Sequence, residues 1–177
     1  MITEVETLTK ILAIAGVFAA AIFDIRIRKI PNALTFSLAF LGLILNFLAF
    51  GLNGLGQSAL GLACGILFLY FPFSWGGVGG GDVKLMGAIG SLVGPSLILK
   101  IFLAGAIFGG IFSIFEMIRR KSVRRSLENL KAKMVCFALT RSMPHETAES
   151  EIQSATIPYA CAIGCGTLFV LFVLKGG

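Results

Sequence analysis

Six apolar segments, five long and one short, dominate this sequence and limit what it can fold into. Crossing the roughly 30 Å hydrocarbon core of a bilayer takes about 20 apolar residues in a helix. The segments that approach this length are residues 8–23, 33–52, 55–73, 83–93, 97–118 and 157–174. Of the 177 residues, 56% are hydrophobic and 14% are charged, which leaves too little polar surface for a water-soluble globule. The sequence therefore predicts an all-α fold, a polytopic membrane bundle of about six transmembrane helices.

The positive charges favour one orientation of this bundle. Arg26, Arg28 and Lys29 lie between the first and second segments, whereas residues 51–54, between the second and third, carry no charge. Positively charged loops stay in the cytoplasm, so we assign the net charge of +6 to orientation and expect no nucleic-acid partner. Both termini are then predicted outside. The connections predicted inside are residues 24–32, 74–82 and 119–156.

The longest of these connections, residues 119–156, is predicted to be a cytoplasmic loop. Its apolar residues recur at helical spacing among Lys and Arg, which fits an amphipathic helix lying on anionic lipid; a plain solvated helix is an equal alternative. Glu4 and Glu6 precede the first segment, where a cleaved signal peptide would carry Lys or Arg, so this segment is expected to remain as an anchor. Residues 1–177 are interpreted as a single membrane domain.

Small residues recur four positions apart in several of the apolar segments. This spacing lets helix backbones approach closely, and we expect it to serve packing within one bundle. The fourth segment is short and ends at Gly94-Pro95, because glycine permits a turn and proline cannot continue the hydrogen-bond ladder. The small-residue pairs are Gly61/Gly65, Gly90/Gly94, Gly105/Gly109 and Ala160/Gly164.

Two aspartates are the most informative ionisable residues, because charge is costly near a membrane. Asp24 ends the first apolar segment, and Asp82 opens the fourth directly after a glycine-rich run, residues 76–81. This run is predicted to form neither a stable helix nor a strand, and to let a peptide approach closely; a purely mechanical loop is the alternative. In the predicted orientation both carboxylates lie at the cytoplasmic boundary, where they can meet.

The residues present exclude several other kinds of site. The single histidine, His145, lies in the long loop, which excludes an H-E-x-x-H zinc protease and a serine-histidine pair in a span. The glycine run lacks the Lys-Ser or Lys-Thr of a phosphate loop. The four cysteines show no C-x-x-C spacing, so no metal site, disulfide framework or other cofactor is expected. A pair of Lys84 with Ser74 or Ser91 remains open.

Two motifs stand in order along the chain: D-x-x-x-x-x-I-P-N, which begins at Asp24, and G-x-G-D, which ends at Asp82. Together they resemble the type IV prepilin peptidases, the G-x-G-D aspartic proteases of the membrane. Residues 157–160, Ile-Pro-Tyr-Ala, resemble the proline motif that opens the last helix of that family. The resemblance implies catalysis by Asp24 and Asp82. It implies motif or substrate-positioning roles for Pro31, Asn32, Gly79, Gly81, Lys84 and Pro158.

The resemblance also implies a substrate and a location. An aspartic endopeptidase of this family, in the cytoplasmic membrane of a prokaryote, would remove the short basic leader of a prepilin or pseudopilin just before its hydrophobic stem. Bifunctional members carry a long insert with two C-x-x-C pairs after their first span, and this sequence has neither. It resembles the short branch associated with tight-adherence pili and preflagellins, so methyltransferase activity is not predicted. Membrane lipid is an expected partner, and homo-oligomerisation stays open.

The two acids are predicted to share a proton, since neighbouring carboxyls cannot both be ionised. Asp82 would lie at the N-terminus of the fourth helix, where the helix dipole favours an anion, and Lys84 is near. Asp24 lies at the C-terminal end of the first helix, where the dipole disfavours charge. We therefore predict that Asp24 is more often protonated and Asp82 more often ionised.

Two other classes of function are compatible with the same residues. A small proton-coupled transporter or channel component would use the aspartates as a proton relay deep in the bilayer. A non-catalytic scaffold of a secretion apparatus would tolerate alanine at both positions. The predicted position of both acids at the membrane edge favours the peptidase.

Overall fold

The computed structural model describes residues 2–75, 77–119 and 159–173, and nearly all of these are helical. The helices are α1 (Ile2–Ile27), α2 (Asn32–Ser74), α3 (Gly80–Val93), α4 (Pro95–Arg119) and α5 (Tyr159–Val173). The described residues contain no strand, which confirms the all-α prediction. Pro158 and the amphipathic helix predicted within residues 119–156 lie outside the described ranges.

Three of the described helices are long and apolar enough to cross a membrane. They contain the candidate spans Thr3–Ile27, Asn32–Ser74 and Pro95–Phe115. Helix α5 is apolar but shorter, with 15 residues. The number of six spans and the placement of the termini therefore stay predictions.

Helix α2 is interrupted at Gly51, where φ is 62°, a left-handed conformation that glycine adopts readily. A straight helix of 43 residues would be about 65 Å long, twice the hydrocarbon core of a bilayer. Instead, Asn46 before the break and Ser58 after it both hydrogen-bond the carbonyl of Ser91 in α3. The two halves of α2 therefore fold back on each other, as the uncharged turn predicted at residues 51–54 requires.

The backbones of α2 and α3 approach closely at small residues. A Cβ atom added to Gly61 would overlap the carbonyl of Gly90, and one added to Gly65 would overlap the carbonyl of Met86. Most of α3 is buried as a result, and both α1 and α5 also pack against it. The prediction that these small residues serve packing inside one bundle is confirmed at this interface.

Helix α3 ends as predicted but begins earlier than predicted. Gly94 has a φ of 81° and donates its N–H to the carbonyl of Gly90, and α4 begins at Pro95. At the other end, Gly80 and Gly81 form the first turn of α3, so the prediction that the whole glycine run avoids helix was wrong. The N–H groups of Asp82 and Val83 bond the carbonyl of Gly79, which holds this first turn in helical geometry.

The chain divides into two units. The first comprises Met1–Gly109 with Pro158–Gly177 and includes both aspartates. Within it, Phe68 of α2 stacks on Phe102 of α4 at a centroid distance of 5.2 Å. The second unit comprises Gly110–Ile157 and includes the last turns of α4. The contacts described below lie within the first unit.

Candidate active site

Asp82 lies in the first turn of α3 and is almost completely buried, with 7% of its surface exposed. The N–H of Gly79, the residue that precedes the helix, hydrogen-bonds its carboxylate. A Cβ atom at Gly79 would lie 3.2 Å from Oδ2 of Asp82, so this side of the carboxylate is closely covered by backbone. The other oxygen, Oδ1, is buried without a hydrogen-bond partner among the described residues. Such an atom is costly in a purely structural role.

Asp24 lies in the last turn of α1 and is only partly buried. Its carboxylate accepts a hydrogen bond from the N–H of Ala160, in the first turn of α5. The chain then leaves the helix at Arg28, which adopts a φ of 53° and donates its N–H to the carbonyl of Asp24. The positive charge of Arg28 also acts on the Asp24 carboxylate. The N-terminus of α5 therefore hydrogen-bonds the carboxylate of Asp24, which itself lies at the C-terminal end of α1.

The two aspartates lie close enough for the charge of one to act on the other. Burial and, to a smaller extent, the negative charge of Asp24 together raise the pKa of Asp82 to about 7, although the hydrogen bond from the N–H of Gly79 acts in the opposite direction. Packing of α1 against α3 brings the two carboxyls together. Two acids from distant parts of the sequence thus form one electrostatically coupled pair, which we call the aspartate pair.

The two sequence motifs contact each other directly beside this pair. Lys84 donates a hydrogen bond from Nζ to Oδ1 of Asn32 at 2.9 Å. A Cβ atom added to Gly81 would lie 3.2 Å from Cβ of Ile30, so glycine allows this close approach. Pro31 has extended backbone geometry and directly precedes α2. The start of α3 is therefore packed against the start of α2.

The serine and lysine alternative finds no support in the described geometry. The amine of Lys84 lies 2.9 Å from Asn32 and 5.9 Å from the ring centre of Phe36. Ser74 donates its hydroxyl to the carbonyl of Phe71, and Ser91 donates to the carbonyl of Ala88. Neither hydroxyl is hydrogen-bonded to the lysine. As for metals, the described residues include no group of three His, Cys, Asp or Glu side chains suited to hold an ion.

Two further residues of the site were not predicted from the sequence. Tyr159 and Cys161, in the first turn of α5, both lie within electrostatic range of Asp82, and Cys161 also lies within range of Asp24. The ring of Tyr159 rests against Gly109 of α4. The available signal was position, because both residues follow Pro158 at the start of the last apolar segment.

The surroundings of the two acids favour the opposite assignment of the proton from the one predicted. Asp82 is the more deeply buried acid, and its Oδ1 has no partner in the described structure, so its neutral form is favoured. Burial also disfavours charge on Asp24, but the N–H of Ala160 and the charge of Arg28 favour its carboxylate. The prediction from the sequence considered only the helix that carries each acid. The N-terminus that stabilises Asp24 belongs to α5.

The fold and the paired aspartates define a helical membrane protein with a dicarboxylic site, and comparison with known proteins gives its family. The model of the type IV leader peptidase family matches residues 11–114, which include both aspartates, and the chain belongs to this family.

A curated relative is similar over much of the chain. The prepilin leader peptidase/N-methyltransferase of Bacillus subtilis (strain 168) is 30% identical over 125 residues, which are 69% of this chain and 50% of that protein. The match thus covers about half the length of the relative. No solved structure gives a significant match.

Proposed function

We propose that this chain is an aspartic endopeptidase that removes the basic leader of prepilin-like substrates. Membership of the type IV leader peptidase family and the named activity of the bacterial relative support a prepilin-processing peptidase. The observation that carries the aspartic mechanism is the buried, unpartnered Oδ1 of Asp82 beside a second carboxyl, Asp24. A buried acid that lacks a structural partner is suited to hydrogen-bond a substrate.

In this mechanism Asp24 is the general base and Asp82 is the general acid. The carboxylate of Asp24 takes a proton from a water molecule as its oxygen attacks the scissile carbonyl carbon. The protonated Asp82 donates its hydrogen to the carbonyl oxygen and stabilises the charge that develops there. When the C–N bond breaks, Asp24 gives its proton to the leaving amine, and Asp82 recovers its proton from the tetrahedral hydroxyl.

The positions of the acids support a site at the cytoplasmic membrane face. Asp24 and Asp82 lie at helix ends, and the cations Arg26, Arg28 and Lys29 lie at the same end of α1. A proton relay through the middle of the bilayer is disfavoured by this placement. We further propose six spans in the cytoplasmic membrane of a prokaryote, with both termini outside. The chain would form one peptidase domain, with residues 119–156 as its cytoplasmic loop.

We propose peptidase activity without N-methylation. Helix α1 ends at Ile27 and α2 begins at Asn32, so no insert with C-x-x-C pairs separates them. The name of the bacterial relative includes a methyltransferase activity, but the match covers only half of that protein. Mass spectrometry of the processed pilin would settle the point. An unmethylated N-terminus is expected.

The proposed activity is tested by coexpressing the chain with candidate prepilins and scoring leader loss on gels. Cleavage is expected with the native sequence and is expected to disappear with Asp24→Ala and with Asp82→Ala. Membrane levels of each variant serve as the control for folding. Retention of cleavage in either alanine variant would rule out the aspartic mechanism.

The proposed orientation is tested with single cysteines in a background in which the natural cysteines are replaced by serine. A membrane-impermeant maleimide is expected to label Asn53→Cys in intact cells and Lys29→Cys only after the membrane is opened. The reverse pattern would overturn the orientation without affecting the catalytic proposal.

A further inference from the structure

An apolar groove runs between α1 and α5, and one of its lining residues, Cys161, lies within electrostatic range of the aspartate pair. Its volume is about 290 Å³, and it is lined on the α1 side by Ile14, Phe18, Ile22 and Ile25 and on the α5 side by Cys161, Cys165 and Leu168, among others. These positions form one stripe on each helix at helical spacing. We name this feature the α1–α5 groove.

Two lining residues of the groove lie beside the proposed catalytic site. Ile25 directly follows Asp24 in the sequence, and Cys161 lies within electrostatic range of both Asp24 and Asp82. From Ile14 to Ile25 the groove extends about 16 Å along α1, half the thickness of the hydrocarbon core. A chain held at the carboxyls can therefore continue along the groove into the membrane.

The chemistry of the lining selects an apolar occupant. Among the described residues that line the groove, only Thr167 has a hydroxyl, and it donates that hydroxyl to the carbonyl of Ile163 at 2.8 Å. Within the described part of the chain, Phe18, Ile22 and Ile25 remain 57%, 50% and 64% exposed. The half-buried Cys161 and Cys165 form its floor on α5. The groove thus combines large apolar walls, a floor of small residues and no free hydroxyl group.

We infer that the α1–α5 groove binds the apolar stem of the substrate, directly after the bond that is cut. The inference rests on the proposed function, because it is that function which requires a substrate with a cytoplasmic leader and a membrane-embedded helix. A helical stem that lies along α1 would present its first residues to Asp24 and Asp82. The remaining length of the stem would stay in contact with lipid.

Native cysteines in the groove allow a direct test. The enzyme, with Cys64 and Cys136 replaced by serine and Asp24 by asparagine to block turnover, is reconstituted in phosphatidylcholine and phosphatidylglycerol vesicles. The probe is a synthetic substrate with a short basic leader, a 20-residue apolar stem and a single cysteine placed at successive stem positions. A short bis-maleimide is then added. Crosslinks to Cys161 and Cys165 are expected from stem positions on one helical face in the first three turns.

A matched pair of substitutions tests the groove through kinetics. Cys165→Trp fills the groove away from the carboxyls and is expected to raise KM about tenfold, with kcat changed less than twofold. Phe172→Trp adds similar bulk on the exposed surface of α5, outside the groove, and is expected to leave both constants unchanged. Helix content and thermal unfolding show that each variant is folded.

The alternative occupants give different results. A groove filled by a lipid chain gives no crosslinks to the stem and the same KM in both tryptophan variants. A groove that binds a second copy of this chain gives Cys161 or Cys165 dimers in place of stem adducts. Either result, when the parent enzyme with native Asp24 cleaves the same substrate, overturns the groove inference and leaves the proposed function intact. Failure to cleave any prepilin rejects the proposed function itself.

Discussion

The protein buries polar groups in two places, which differ in whether those groups are fully hydrogen-bonded. Towards the end of α3 remote from Asp82, the carbonyl of Ser91 accepts hydrogen bonds from Asn46 at 3.1 Å and Ser58 at 2.6 Å. The hydroxyl of Ser91 is bonded as well, to the carbonyl of Ala88 at 2.8 Å. We call Asn46, Ser58 and Ser91 the Ser91 cluster. At the other end of α3, Oδ1 of Asp82 is buried with no partner among the described residues.

This contrast separates a structural polar site from a chemical one. The Ser91 cluster joins both halves of α2 to α3 through closed hydrogen bonds, which is how buried polar groups contribute to stability. The aspartate pair leaves capacity for hydrogen bonding unused and keeps two carboxyl groups near each other, which disfavours ionisation of both and reduces stability. Changes at the pair should therefore alter activity, and changes at the cluster should alter stability.

The largest effect is expected from isosteric replacement of either acid. Asp24→Asn and Asp82→Asn should each reduce the rate of leader cleavage by about 1,000-fold, because each removes a proton donor or acceptor from the reaction. The unfolding temperature of Asp82→Asn should not fall, since the change removes a buried, poorly paired carboxyl. Rate assays in detergent and thermal unfolding measure the two quantities. A variant that loses stability and activity in proportion would place Asp82 with the structural residues.

The pH dependence of stability should also distinguish the two places. The pKa of Asp82 is raised from an ordinary value near 4 to about 7, so between these values the folded protein binds a proton that the unfolded chain releases. The free energy of unfolding should therefore decrease as the pH rises from about 4 to 7. Cleavage should decline as the pH rises through 7, because Asp82 loses its proton. Urea unfolding and initial rates at each pH test both trends.

A control for the pH dependence comes from the same two places. Asp82→Asn should reduce the slope of stability between pH 4 and 7, whereas Ser58→Ala should keep it. An unchanged slope in Asp82→Asn would assign the titration to another group.

A smaller effect is expected where the backbones of α2 and α3 touch. Gly61→Ala places a methyl group against the carbonyl of Gly90, and the forced shift should destabilise the protein by about 1–3 kcal/mol. Gly56→Ala is the matched control, because an added Cβ there has no atom within 4 Å, and it should stabilise α2 by about 0.5–1 kcal/mol. Unfolding in mixed detergent measures both values. Equal effects would mean that the interface has room to adjust.

Within the Ser91 cluster, Ser58→Ala should lower the free energy of unfolding by about 1 kcal/mol, since it removes one buried hydrogen bond. The exposed hydroxyl of Ser74, bonded to Phe71, provides the control, and Ser74→Ala should have almost no effect. Neither change should alter kcat. A loss of kcat in Ser58→Ala at full folding would remove the distinction between the two places.

The smallest effect is expected at the contact between the two motifs. Lys84→Met and Asn32→Ala should each lower cleavage a few-fold, because the hydrogen bond between them helps to fix the start of α3. As both side chains are exposed, their coupling energy in a double-mutant cycle should be about 0.5 kcal/mol. Strictly additive effects would show that Lys84 acts independently of Asn32.

Much of the fold follows from local patterns in the sequence. Helix α1 ends among the positive charges that follow the first apolar segment, α3 ends just before Gly94, and α4 begins at Pro95. The break in α2 lies at Gly51, the first residue of the uncharged stretch 51–54. The proximity of Asp24 and Asp82 was expected from their common depth. Local reasoning failed at Gly80 and Gly81, where hydrogen bonds to Gly79 overcome the low helix propensity of glycine.

The details of the site depend on contacts that no local pattern specifies. Which acid holds the proton depends on the Ala160 N–H, which reaches Asp24 from the far end of the chain. The presence of Tyr159 and Cys161 beside the pair has the same origin, the packing of α5 against α1 and α3. One sequence without structural information gives the depth of a residue, but it does not give its neighbours across helices.

The contact between Gly61 and Gly90 has a consequence for how this protein tolerates random change. Each glycine leaves no space for a Cβ atom because the backbone of the other occupies it. In a saturation library both positions would therefore disfavour every other amino acid, most strongly the large ones. Judged by loss of activity alone, the two glycines would look like active-site residues. A separate measurement of protein abundance would show that their substitution affects folding instead.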